Sequence, residues 1–135
     1  MNRFETSVLA RPEAMSDLTD KVMAFLSGQG VDTRATHHVA LVLEEVLTNL
    51  ATHGNCRDVP ARIAVNVAAD KVIGEVADAG PPFDPRLVPD VPVHTATMDR
   101  PIGGLGLHLV RKLSSDLEYA RRNDENVMRF AISRR

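Results

Sequence analysis

The stretch Glu44-Glu45-Val46-Leu47-Thr48-Asn49-Leu50-Ala51-Thr52-His53-Gly54 decides how this chain reads. It is strongly helical, and Gly54 is a natural stop. Residues four apart on an α-helix lie about 40° apart around its axis. Glu45, Asn49 and His53 therefore form one polar ridge, beside an apolar stripe of Val39, Leu43, Val46 and Leu50. A carboxylate and a carboxamide held rigidly at the edge of a buried face can reach a metal ion or a hydroxyl. That arrangement suits phosphoryl chemistry. The same pair also fits the flank of any amphipathic helix, so the rest of the chain must decide.

Upstream, residues 3 to 10 predict a strand. Pro12 then opens a helix to about Ser27, since proline in the first turn wastes no hydrogen bond. Gly28-Gln29-Gly30 ends that helix, and Asp32 or Thr33 caps the second, which runs to about His53. Downstream, alternation predicts strands at 61 to 68 and 71 to 78, joined by an Ala69-Asp70 turn. Six of the eight prolines then fall between Pro81 and Pro101. A long surface loop is expected there. A short helix from about Leu105 to Leu113 and strands near 116 to 122 and 126 to 133 close the chain. Strands and helices without regular βαβ alternation predict an α+β two-layer sandwich. Its sheet is expected to be mixed and mostly antiparallel, with helices on one face, as a single domain over residues 1–135.

Composition narrows the function classes. At 135 residues the chain can bury a real core. Its formal net charge of −2 gives no polyanion footprint, although Arg121, Arg122, Arg129, Arg134 and Arg135 make the end locally basic. Few aromatic residues argue against stacking on nucleic acid. No apolar run is long enough to span a bilayer and no signal peptide is evident, so no membrane role is expected. Cys56 is the only cysteine, which excludes an intrachain disulfide and points to the cytoplasm.

Two loops add chemistry to the helix. Asp78 ends a strand and enters Ala79-Gly80-Pro81. A buried carboxylate there can accept a hydrogen bond from an exocyclic amine such as that of adenine, and Gly80 lets the base approach the backbone. An Asp-x-Gly turn with no ligand is the alternative. Gly103, Gly104 and Gly106, with Leu105 between them, precede a helix, where free amides and the positive helix end favour phosphate. Arg100, just before them, either contacts phosphate oxygens or is solvated. Nothing matches the Walker pattern, so a P-loop is excluded. Asn49 offers the sparse oxygen ligation that Mg2+ takes from protein. Glu45, one turn earlier, can orient or deprotonate an attacking hydroxyl. His53 either hydrogen-bonds near the metal ligand or complements the helix dipole.

In this order the motifs resemble the GHKL ATP-binding superfamily, whose fold is also called the Bergerat fold. More closely they are similar to anti-sigma-factor serine kinases of the RsbW and SpoIIAB type. The resemblance rests on Glu45 to Gly54 as the N box, Asp78 to Pro85 as the first glycine box, and Pro101 to Val110 as the second. It implies Glu45 as general base, Asn49 as Mg2+ ligand, Asp78 as the adenine-reading aspartate, and Gly80 under the base. Gly104 and Gly106 match the phosphate loop, and residues 81–101 the ATP lid. It further implies a homodimer that binds a sigma factor or phosphorylates a STAS-domain antagonist, using ATP and Mg2+. Two positions depart from the pattern. Pro82 replaces the second glycine of the first box, and Glu125-Asn126 stands where Gly-Thr often touches the nucleotide.

Three functions then compete. The leading expectation is an ATP-dependent serine/threonine protein kinase that is also an anti-sigma factor. The second is a binding switch that senses ATP and sequesters a partner without phosphorylating it. The third is a detached histidine-kinase catalytic domain, disfavoured because no long dimerisation helix carries a phosphoacceptor histidine.

Overall fold

A computed structural model of the chain describes residues 2–53, 58–87 and 104–135. Its elements are β1 (Arg3–Val8), α1 (Pro12–Gly28), α2 (Thr33–His53), β2 (Ala61–Val67), β3 (Lys71–Asp78), a 3-10 turn (Pro85–Leu87), α3 (Gly104–Leu113), β4 (Asp116–Arg122) and β5 (Glu125–Ser133). The strands form one sheet in the order β1-β2-β3-β5-β4. All four pairings are antiparallel, where the sequence reading expected a mixed but mostly antiparallel sheet. The tight connections account for much of this, since β2–β3 and β4–β5 are hairpins and a hairpin imposes antiparallel pairing.

Local chemistry sets the element ends. Pro12 occupies the first turn of α1 and leaves no amide unpaired there. Beyond α1, Gly30 takes φ +78°, a conformation that L side chains rarely adopt. Asp32 caps α2: its Oδ1 accepts the Ala35 N–H at 2.8 Å. Strand β1 stops at Val8, two residues short of expectation, because the chain already turns with Arg11 N–H donating to Leu9 O at 2.8 Å. The β4–β5 hairpin turns on Asn123 (φ 53°) and Asp124 (φ 62°). Two successive left-handed residues match the twist of the flanking strands, and Asn and Asp tolerate that region best after glycine.

Strand alternation divides the sheet into two faces. Ile63, Val65, Val72, Val76, Met128, Phe130 and Ile132 point into one core with Leu18, Val22, Leu26, Val39, Leu43, Leu47, Leu50 and Val110 of the helices. The other face carries alternating charge, including Arg3, Glu5, Arg62, Glu75, Arg129 and Glu118. Gly74 pairs directly with Phe130, and a Cβ on Gly74 would overlap that ring. The glycine is the seat of the largest fully buried side chain in the sheet. Two-residue alternation on β3 then carries the inward row from Val72 through Gly74 and Val76 to Asp78. The inward row of β5 runs from Asn126 through Met128 to Phe130 and Ile132. Each row ends in a polar residue at the same edge of the core.

Candidate nucleotide site

Those two ends are cross-strand partners. Asp78 pairs with Asn126, which pairs in turn with Arg121 of β4. Asp78 is 4% exposed and Asn126 5%. The Gly80 N–H donates to Asp78 Oδ2 at 2.9 Å, and Asn126 Nδ2 donates to the same oxygen at 3.2 Å. Asn126 Nδ2 also lies 2.8 Å from Pro81 O and 3.4 Å from Gly80 O. Its Oδ1 accepts the Phe83 N–H at 3.1 Å and the Tyr119 hydroxyl. Arg121 Nη1 donates to Gly80 O at 2.7 Å. The turn that leaves β3 is thus held to β4 and β5 by side chains. Further on, Asp84 caps the 3-10 turn by accepting the Arg86 N–H at 2.9 Å and its guanidinium at 2.8 Å. That partner holds the Asp84 carboxyl below the usual carboxylate range.

Helix α2 faces this cluster across a pocket. Val46, Asn49 and Leu50 line it from the helix, and Val76, Asp78, Tyr119, Asn126 and Met128 from the sheet. Pro81, Phe83, Pro85 and Leu107 complete the wall. The walls are mostly apolar, with the carboxamide of Asn49 and the carboxyl of Asp78 as polar points. The enclosed space is about 30 Å³, room for about one or two waters. Phe83 is half-buried on a turn whose backbone is held by Asn126.

Burial pushes the Asp78 carboxyl up, against the Gly80 N–H, the Asn126 amide and Arg121, which pull it down. Glu45 is half-buried and is not part of the pocket wall; it sits one helical turn before Asn49. Burial raises its pKa as well, and the neighbouring Glu44 carboxylate adds to the effect. A carboxylate shifted this way is a better proton acceptor.

The structure brings Asn49, Asp78 and Gly80 together and keeps Glu45 beside them. Asn49 is 4% exposed, so it lies at the edge of the buried face, as the helical spacing suggested. Arg100 and Gly103 lie outside the described residues, as do Cys56 and the side chains of His53, Gly104, Leu105 and Gly106. The backbone of Gly104 starts α3, one residue earlier than expected. Among the described residues no cluster of three His, Cys, Asp or Glu side chains could hold a metal. One oxygen ligand from Asn49 suits Mg2+, which keeps most of its shell in water and phosphate. Sequence reasoning left Asn126, Tyr119 and Arg121 without a role. A polar Asn in register with Met128, Phe130 and Ile132 on an inward row was the signal available for the first.

Residues 8–132 match the family described as the histidine kinase-like ATPase domain. The chain belongs to it. An ATPase domain implies ATP binding. Solved structures share the fold. The RsbU and RsbW domains of Rv1364c from Mycobacterium tuberculosis superpose with a TM-score of 0.69 at 16% identity. That match covers 100% of this chain but 34% of the other, so the present chain spans about a third of that protein structure. A SiaB-SiaC complex from Pseudomonas aeruginosa contains a chain matching with a TM-score of 0.68 at 14% identity, over 96% of this chain and 88% of that one. The catalytic domain of histidine kinase ThkA gives 0.53 at 16% identity, over 99% and 98%. No curated protein sequence is significantly similar. Among the described residues no helix is long and apolar enough to cross a membrane.

Proposed function

We propose that this chain is an ATP-dependent serine/threonine protein kinase and anti-sigma factor of the RsbW type, acting in a partner switch on a STAS-domain antagonist. The observation that carries the reading is the convergence of Asn49 from α2 and Asp78 from β3 on one pocket, with Glu45 a turn away. The names of the similar structures, an RsbW domain and a SiaB-SiaC complex, support a partner-switching role over a detached histidine-kinase domain.

In this reading Mg2+-ATP supplies the phosphoryl group and the electrophilic phosphorus. Asp78 accepts a hydrogen bond from the adenine amine, and Gly80 leaves room for the ring. Asn49 would give one oxygen to a Mg2+ ion held with the nucleotide, with His53 one turn further along the helix. Gly103, Gly104, Leu105, Gly106 and Arg100 are assigned to the phosphates, and residues 81–101 to a lid. Glu45 takes the proton of the acceptor hydroxyl as its oxygen bonds to phosphorus and the bond to the ADP oxygen breaks. The raised pKa of Glu45 fits that role. The active species is taken to be a homodimer of single-domain chains, in the cytoplasm, bound to a sigma factor or another regulator when not engaged with the antagonist.

The test is incubation with labelled ATP and the STAS-domain protein encoded nearest to this chain. Acid-stable label on a serine or threonine of that protein supports the kinase. Tight nucleotide-dependent binding without transfer leaves only the switch, and acid-labile label on a histidine overturns both.

A further inference from the structure

We propose that Asn126 is a positioning residue that sets the base selectivity of the site by tying Asp78 to the turn that leaves β3. The inference rests on the ATP reading above and adds to it a residue that the family pattern does not supply, since Glu125-Asn126 stands where that pattern has Gly-Thr.

The side-chain amide of Asn126 has two N–H donors and an oxygen with two acceptor sites. Both ends are engaged. The donors serve Asp78 Oδ2 at 3.2 Å and Pro81 O at 2.8 Å, with Gly80 O at the margin of reach at 3.4 Å. The oxygen takes the Phe83 N–H at 3.1 Å and the Tyr119 hydroxyl. These partners fix which way the amide points. A flipped amide would set its NH2 against the Phe83 N–H and its oxygen against the Asp78 carboxylate, two repulsions in a site with little water to relieve them. The geometry thus commits an N–H to Asp78 Oδ2, which the Gly80 N–H also occupies at 2.9 Å.

Two donors on one oxygen hold the carboxyl as an acceptor in a single orientation. Its other oxygen, Oδ1, then offers an acceptor to the pocket. A base edge that donates, such as the amine of adenine, is matched there. A base edge that presents a carbonyl, such as that of guanine, places lone pairs against it. Discrimination of this kind is strong only while the buried group cannot rotate away. Asn126 restrains that rotation, and the same amide pins the backbone of Pro81 and Phe83. Base reading and turn geometry therefore rise or fall together.

The experiment is calorimetric titration of the full chain with Mg2+-ATP and Mg2+-GTP, in wild type, Asn126→Ser and Tyr119→Phe. Hydrogen exchange of the Gly80 and Phe83 amides without nucleotide accompanies it. A serine hydroxyl cannot span Asp78, Pro81 and Phe83 at once. Asn126→Ser should weaken ATP about tenfold, leave GTP nearly unchanged and so narrow the preference by the same factor, which is the scale of one lost buried hydrogen bond. Exchange at Phe83 should accelerate by a similar factor. Tyr119→Phe keeps the contact to Asp78 and removes one anchor of the amide, so both changes should be smaller and in the same direction. A merely structural role would lower affinity for the two nucleotides alike, and that equal loss overturns the proposal. If Asn126→Ser does not fold, unchanged Phe83 exchange and an unchanged ATP/GTP ratio in Tyr119→Phe overturn it instead. Failure of wild type to bind ATP at all is a separate result, which sinks the ATP reading on which this one stands.

Discussion

Asp78 and Asn49 line one pocket from opposite layers, and their surroundings differ. On the sheet side Asp78 stands in a filled network, with Gly80, Asn126, Tyr119 and Arg121 joined by hydrogen bonds. On the helix side Asn49 is buried at the pocket wall and Glu45 is half-buried one turn before it. The sheet side is braced by side-chain hydrogen bonds, and the helix side is set by the packing of α2 on the core. On the function proposed above, the sheet side is the reading end and the helix side the acting end.

The comparison can be broken most severely at Glu45. If the helix side acts and does not read, Glu45→Gln should lower phosphotransfer by roughly 10²–10⁴-fold while ATP affinity stays within a few-fold. Single-turnover transfer and equilibrium binding on the same variant check both halves. Transfer at the wild-type rate would remove Glu45 as the base.

The sheet side is tested next through its scaffold. Gly74→Ala forces a methyl into the Phe130 ring and displaces β5, the strand that carries Asn126. Overpacking of this kind costs about 1–3 kcal/mol. Denaturant unfolding should show that loss, and ATP affinity should fall with it, whereas transfer at saturating ATP should not. Intact stability would mean that the sheet yields more easily than the register suggests.

The smallest expected effect sharpens the electrostatic part. Burial raises the pKa of Asp78, so the folded state holds that proton more tightly than the unfolded chain does. Ionised Asp78 therefore subtracts stability at neutral pH, and the deficit disappears as pH falls through the carboxylate range. Asp78→Asn should be more stable than wild type without nucleotide at pH 7, with the gap closing toward about pH 4. Thermal unfolding at the two pH values decides it. A variant less stable than wild type at neutral pH would mean that the hydrogen bonds outweigh the cost of burial.

Much of this was legible before any coordinates. Periodicity and capping residues placed α1, α2, β2, β3, β4 and β5 within a residue or two, because each has a long enough run and a chemical stop. Motif order singled out Asn49 and Asp78, and the structure places both at one pocket. What the sequence did not reveal depends on register. Asn126 is ordinary until the Asn123-Asp124 turn sets β4 against β5 and lays Asp78, Asn126 and Arg121 in one row across three strands. The depth of Asn49 was also hidden, since helical spacing shows which side a residue takes but not how far the neighbouring sheet covers it.

The division into a reading end and an acting end is tested most directly by ATP titration of Asp78→Asn and Asn49→Ala, each with and without Mg2+. Asp78→Asn should lose affinity by a similar factor under both conditions, because it mismatches the base. Asn49→Ala should lose affinity only when Mg2+ is present, because it removes a metal ligand and nothing the base touches. Equal losses for Asn49→Ala with and without the metal would contradict the account.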